Sequence, residues 1–154
     1  AWLRALPITL PLGEPSAPTI AVHGGFEPGL RLDQQRDAKM LRCRYVDADG
    51  LMVAISNDID QPAGTRRWGA SWREPAHAFY GHHCMKLGEP TIDYYEHDDG
   101  RIWLRCGLDG ACCYGGRLLA LVSDATGRGQ SPPRYEIAGV PGRAYARLWM
   151  GDDA

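Results

Sequence analysis

Two histidines share one local grammar. In "IAVHGG" His23 follows a short apolar run and precedes Gly24 and Gly25; in "AFYGHH" His82 follows another apolar run and Gly81. A strand fixes where an imidazole points, and adjacent glycines let backbone or ligand come close. Functional groups on α/β sheets gather at the carboxyl ends of strands, which makes each imidazole a candidate ligand or catalyst. Each also reads as a half-buried strand-end histidine bonded to a carbonyl. Their separation, 82 − 23 = 59 residues, is too long for a local metal motif, so only the fold could bring them together.

The other chemistry-bearing residues are weaker. His83 would point away from His82 if the strand continued, and His77 and His97 read as surface residues. "YVDADG" (45–50) resembles the start of a calcium loop but lacks the later ligands and closing Glu, which makes it a turn. Asp58 and Asp60 read as a solvated loop. Cys112 and Cys113 lie in "GLDGACCYGG" (107–116), a glycine-rich turn without a thiol-specific signature. As a phosphate cradle that turn lacks both the nucleotide-loop lysine and a following helix.

The elements that must carry these residues are short. Nineteen Gly and eleven Pro in 154 residues argue against a long helical bundle and for strands joined by turns. Strands are expected over 8–12, 19–23, 77–81, 115–124 and 134–140. A hairpin is expected where 91–97 and 101–107 flank "DDG". A helix is expected over 33–42 with Asp33 as a possible N-cap, and 2–6 reads as a helix end stopped by Pro7. The stretch 51–76 reads as loop with exposed Trp68 and Trp72, 126–133 as loop, and 143–150 is open between strand and helix. No boundary suggests a second domain.

A hydrophobic fraction of 44%, a charged fraction of 23% and a net charge of −2 describe an ordinary globular chain, in which nothing predicts a nucleic-acid or membrane surface. No apolar run approaches the ~20 residues that span a bilayer. Five cysteines without a CxxC pair point to reduced thiols and a cytoplasmic setting rather than disulfides or a zinc site.

Taken in order, "AVHGGFEPGLRLDQQ" (21–35), "FYGHH" (79–83) and "GLDGACCYGGRLLAL" (107–121) resemble the calcineurin-like metallophosphoesterases of the phosphoprotein phosphatase superfamily, closest to the diadenosine tetraphosphatase-like branch. The resemblance covers about residues 1–123; the tail 124–154 matches loosely. It implies an α+β fold: the β-rich C-terminal half of a β-sandwich with flanking helices. It also implies a metal-dependent phosphoester hydrolase whose complete site holds two divalent ions (Mn, Fe or Zn) that activate water for in-line attack. His23 matches the HGG histidine and His82 the Gly-His histidine, both ligands of the same metal in that family. Arg42, Arg44, Arg73 and Tyr114 are the candidates for binding phosphate or substrate. Substrates compatible with such a site are phosphorylated proteins and nucleotides, capped RNA included.

The departures are specific. The GDxHG, GDxxDRG and GNHE motifs that supply the remaining ligands precede HGG in the family, and none is present; "GDD" at 151–153 is at the wrong end. Only 22 residues precede His23, and the chain does not begin with Met. It is therefore expected to be a single, partial domain that holds at most one metal weakly and is inactive alone. Its sheet edge would then be covered by a missing N-terminal half or a partner chain. The alternative is a catalytically inactive half-domain serving as a structural or binding module.

Overall fold

The structure, a computed structural model, describes residues 2–13, 15, 17–55, 61–123 and 135–144. It is mixed α+β and strand-rich. Its main sheet has five strands: β1 (Thr9–Leu12), β2 (Thr19–Val22), β5 (His77–Tyr80), β6 (Thr91–Glu96) and β7 (Ile102–Gly107), in the order β1-β2-β5-β7-β6. The central three run parallel, with Val22 opposite Tyr80 and Tyr80 opposite Gly107; the edge strands β1 and β6 are antiparallel to their neighbours. Two small antiparallel ladders complete the fold. One pairs β3 (Tyr45–Val46) with β4 (Arg66–Arg67); the other pairs β8 (Arg117–Ser123) with β9 (Tyr135–Pro141). Among the described residues no helix is long and apolar enough to cross a membrane.

The expected strands and the 91–107 hairpin form within a residue or two of their expected ends. The helix expected over 33–42 does not. It is split into a 3-10 turn at Leu32–Gln34 and a single turn, α1 (Asp37–Met40). The break is at Gln35 and Arg36, extended at φ −64, ψ 145 and φ −108, ψ 129; Gln35 is held there by its side chain. Its side-chain oxygen accepts the Glu27 N–H at 2.9 Å, and its amide donates to the carbonyls of Glu27 (2.9 Å) and Leu30 (3.0 Å). Asp33 caps nothing; it pairs with Arg31 at 3.2 Å. "YVDADG" is the turn expected, closed by Gly50 N–H donating to Asp47 O, with Asp47 Oδ1 accepting the Asp49 and Leu51 N–H groups. Residues 56–60, with Asp58 and Asp60, the 124–134 segment and 145–154 lie outside the described residues.

Trp68 and Trp72 are 2% and 1% exposed, against the surface positions expected of them. The chain between 51 and 76 has no long periodicity, but its one helical turn, α2 (Trp68–Ser71), places Trp68 and Trp72 one above the other, as residues four apart on a helix must be. Both indoles enclose Phe26. It stacks on Trp72 at 4.9 Å between ring centres and meets Trp68 edge-on at 5.5 Å; Trp68 in turn meets Tyr80 at 4.8 Å. This aromatic cluster, with Val22, Ala78, Met40, Cys43 and Val46, is the core against one face of the sheet.

His77 is also buried, at 7% exposure. It opens β5 between two neighbouring strands. Its Nδ1 accepts the Leu104 N–H at 3.0 Å and its ring lies 5.0 Å from Trp103. Burial, helped by the Arg105 charge, pushes its pKa down to about 4. His97 is a turn residue whose Nδ1 faces Asp99 at 3.2 Å.

Candidate functional site

The parallel ladder does not stop with its strands. Gly81 N–H donates to the His23 carbonyl at 2.9 Å, and Leu108 N–H to the Tyr80 carbonyl at 2.7 Å. The carboxyl ends of β2, β5 and β7 are therefore held side by side. Immediately past them come His23, His82 and Asp109.

His23 and His82 meet there, ring centres 4.9 Å apart and planes inclined at 51°. Two imidazoles on one ion, at ~2.0–2.1 Å per metal–nitrogen bond plus about 1.1 Å from nitrogen to ring centre, put their centres about 4.5–5.2 Å apart. The observed spacing falls in that range. Among the described residues, however, no group of three or more His, Cys, Asp or Glu could hold a metal. The pair has no third potential ligand beside it among the described residues.

His23 is placed by the residues after it. The N–H groups of Gly24 and Gly25 both donate to the Met40 carbonyl, at 2.9 and 3.0 Å. A Cβ on Gly24 would lie 2.8 Å from that oxygen, and one on Gly25 would run into the Trp68 indole. The glycines thus make room for the protein's own backbone and core. Phe26 then anchors in the aromatic cluster, and Glu27, 1% exposed, receives the Met52 N–H at 2.8 Å and faces Arg36 at 3.5 Å. Cys43, whose thiol donates to the Phe26 carbonyl at 3.1 Å, closes the loop; burial first, then Glu27, raises its pKa to about 12.

His82 is placed differently. His83 N–H donates back to the Gly81 carbonyl at 2.7 Å, closing a three-residue turn around His82, which sits at φ 63. That is the left-handed form of the γ-turn, rare and strained for a residue with a Cβ. Next to it His83, 8% exposed, has its Nε2 3.2 Å from the Tyr45 hydroxyl. Burial, then the charges of Arg44, His82 and Arg67, lower the His83 pKa to about 4, with Asp109 pulling the other way.

The remaining sequence candidates are scattered. Arg44 is close enough to act on His83. Arg42 is exposed, and its backbone nitrogen would be 2.9 Å from a Cβ on Gly24, so it borders the His23 turn. Arg73 is at the other end of the sheet: its guanidinium donates to the Ala70 carbonyl at 3.0 Å and lies 5.0 Å over Tyr95, a residue paired with Trp103 near the start of β7. Tyr114 is 39% exposed on the 3-10 turn Cys112–Tyr114. The loop around it spends its own amides internally, with Gly116 and Tyr114 N–H donating to Ala111 O and Arg117 N–H to Gly110 O. Those donors are not turned toward a phosphate. All five cysteines are free.

Asp109 and Tyr45 were not singled out by sequence. Asp109 had a usable signal, since it follows the third apolar strand as His23 and His82 follow theirs. Tyr45 had none, because its partner is 38 residues away. No protein family, curated protein or solved structure compared with the chain matches it.

Proposed function

We propose that this chain carries the later metal ligands of a metallophosphoesterase-type phosphoester hydrolase, as the C-terminal half of its β-sandwich. The observation that supports this is the His23–His82 pair, 4.9 Å apart at adjoining ends of parallel strands. Bound there, a divalent ion supplies Lewis acidity and an activated water for attack on phosphorus. The chain's own residues hold and orient. His23 and His82 present imidazole nitrogens from fixed backbone, Arg44 and Arg42 bring positive charge to the same edge for a phosphate, and the aromatic cluster keeps the His23 turn rigid. The substrate class is a phosphorylated protein or nucleotide.

With two donors where a tight site wants three or four, the chain alone is expected to bind metal weakly and to turn over nothing. That same short donor set favours a second reading, an inactive half-domain kept as a binding module. Calorimetric titration with Zn²⁺ separates them. Weak binding that disappears in both His23→Ala and His82→Ala supports the metal site; a folded chain that takes up no Zn²⁺, or takes it up unchanged in both variants, refutes it and leaves the module. Hydrolysis of p-nitrophenyl phosphate by the isolated chain, dependent on His23, would refute its expected inactivity.

A further inference from the structure

His82 does not lie opposite His23 in the sheet; Gly81 does. Left to continue as a strand, the chain would carry the His82 ring onward, one residue beyond its partner. The tight turn at φ 63 folds it back instead. A left-handed residue with a Cβ costs of order 1–3 kcal/mol and persists only where its surroundings impose it.

The far side of the turn is anchored. His83 is the residue whose N–H closes the turn, and its ring is fixed in the interior. Tyr45, 3% exposed, meets it through the 3.2 Å hydroxyl contact and an edge-on ring packing at 5.0 Å. The same hydroxyl donates to Met85 Sδ at 3.8 Å, so it holds the segment on both sides of Cys84. Tyr45 itself is fixed by β3, where it pairs with Arg67 and receives the Val53 N–H at 3.0 Å. We propose that Tyr45 is a positioning residue for His82: by anchoring His83 it holds the strained turn that brings the His82 ring onto His23.

This rests on the metal-site reading for its functional meaning, but the geometry can be tested without metal. In the metal-free chain, proton NMR should show cross-peaks between the His23 and His82 rings. Tyr45→Phe, which removes one oxygen, should abolish them while leaving the melting temperature within a few degrees. The Zn²⁺ affinity should fall by about 10–100-fold, the scale seen when a partner behind a metal ligand is removed. His83→Ala should behave like Tyr45→Phe. His83→Gln, whose amide can still meet the Tyr45 hydroxyl, should keep both the cross-peaks and the affinity; their loss in Tyr45→Phe, which keeps the ring, is what a merely space-filling role would not produce. Cross-peaks that survive in Tyr45→Phe, or that are missing from the wild-type chain, overturn the proposal. Cross-peaks present in a wild-type chain that binds no Zn²⁺ leave the positioning role standing and refute only the metal reading.

Discussion

A single methyl group at Gly25 tests whether the HGG segment is built for the protein's own packing. In Gly25→Ala the new Cβ would lie 2.5 Å from Trp68 Cδ1, where carbon atoms ordinarily rest at ~3.5–4.0 Å. The indole would have to retreat by about 1 Å or more. It has nowhere to go, being 2% exposed with Phe26, Trp72 and Tyr80 around it at 5.5, 5.9 and 4.8 Å. The backbone cannot yield either, because Gly25 N–H is tied to Met40 O at 3.0 Å. Overpacking of this kind costs ~1–3 kcal/mol where the core can adjust, and the upper end or beyond where it cannot. We expect a loss of about 3 kcal/mol or more, and at ~2–4 °C per kcal/mol for a chain of this size a melting temperature lower by about 6–12 °C. Gly81→Ala is the control, since its Cβ would find only the His23 carbonyl at 3.7 Å, an ordinary contact; it should stay within about 1 kcal/mol of wild type. Urea unfolding followed by tryptophan fluorescence measures both. A Gly25→Ala chain as stable as Gly81→Ala would refute this account of the motif.

Two further outcomes follow from buried charge. His77 is held neutral by the fold, its pKa pushed from 6.5 to about 4, so the unfolded chain takes up that proton first as pH falls. Its contribution should be complete above pH 6.5, decline between 6.5 and 4 by up to about 3 kcal/mol, and level off below. His83 shifts the same way, so denaturation at pH 7.5 and 4.5 should show His77→Gln removing only part of the slope; an unchanged slope would refute the assignment. Arg105 is fully buried, donates to the Glu74 carbonyl at 2.7 Å and lies 4.6 Å over Trp72. Arg105→Met should cost about 1–3 kcal/mol by leaving the Glu74 carbonyl and the buried Trp72 carbonyl, 3.4 Å from the guanidinium, without this donor, and a loss under about 0.5 kcal/mol in chemical denaturation would show that they find other donors.

Strands were legible in this sequence because their signal is local: a short apolar run, then a glycine or turn pair. The 91–107 hairpin and the strands leading to His23 and His82 were readable for that reason. Burial was less so. Trp68, Trp72 and His77 looked peripheral because nothing near them in sequence says what covers them; their partners are Phe26, Tyr80, Leu104 and Trp103. The 33–42 helix failed at Gln35 and Arg36, both extended, where the Gln35 amide bonds the Glu27 backbone instead of continuing a helix. At the site, two copies of one pattern picked out His23 and His82 singly, and only the family resemblance implied that they meet. The strained turn at His82 and the Tyr45 hydroxyl behind it were not, since both depend on contacts made only in three dimensions.

The bond from Gly81 to the His23 carbonyl makes the sheet a ruler. Adjacent strands lie ~4.7–4.9 Å apart wherever they pair, and the two rings at their ends stand 4.9 Å apart. The backbone spacing is thus set by the sheet, and where the His82 ring stands upon it is set by the turn at φ 63. Exposed stretches of the long excursion between the two histidines, such as the Gly64 turn, where an added Cβ would meet nothing within 4 Å, can lengthen or change sequence at little cost. The pair would keep its measure as long as the Gly81 bond to His23 and the Tyr45 contact with His83 stay in place.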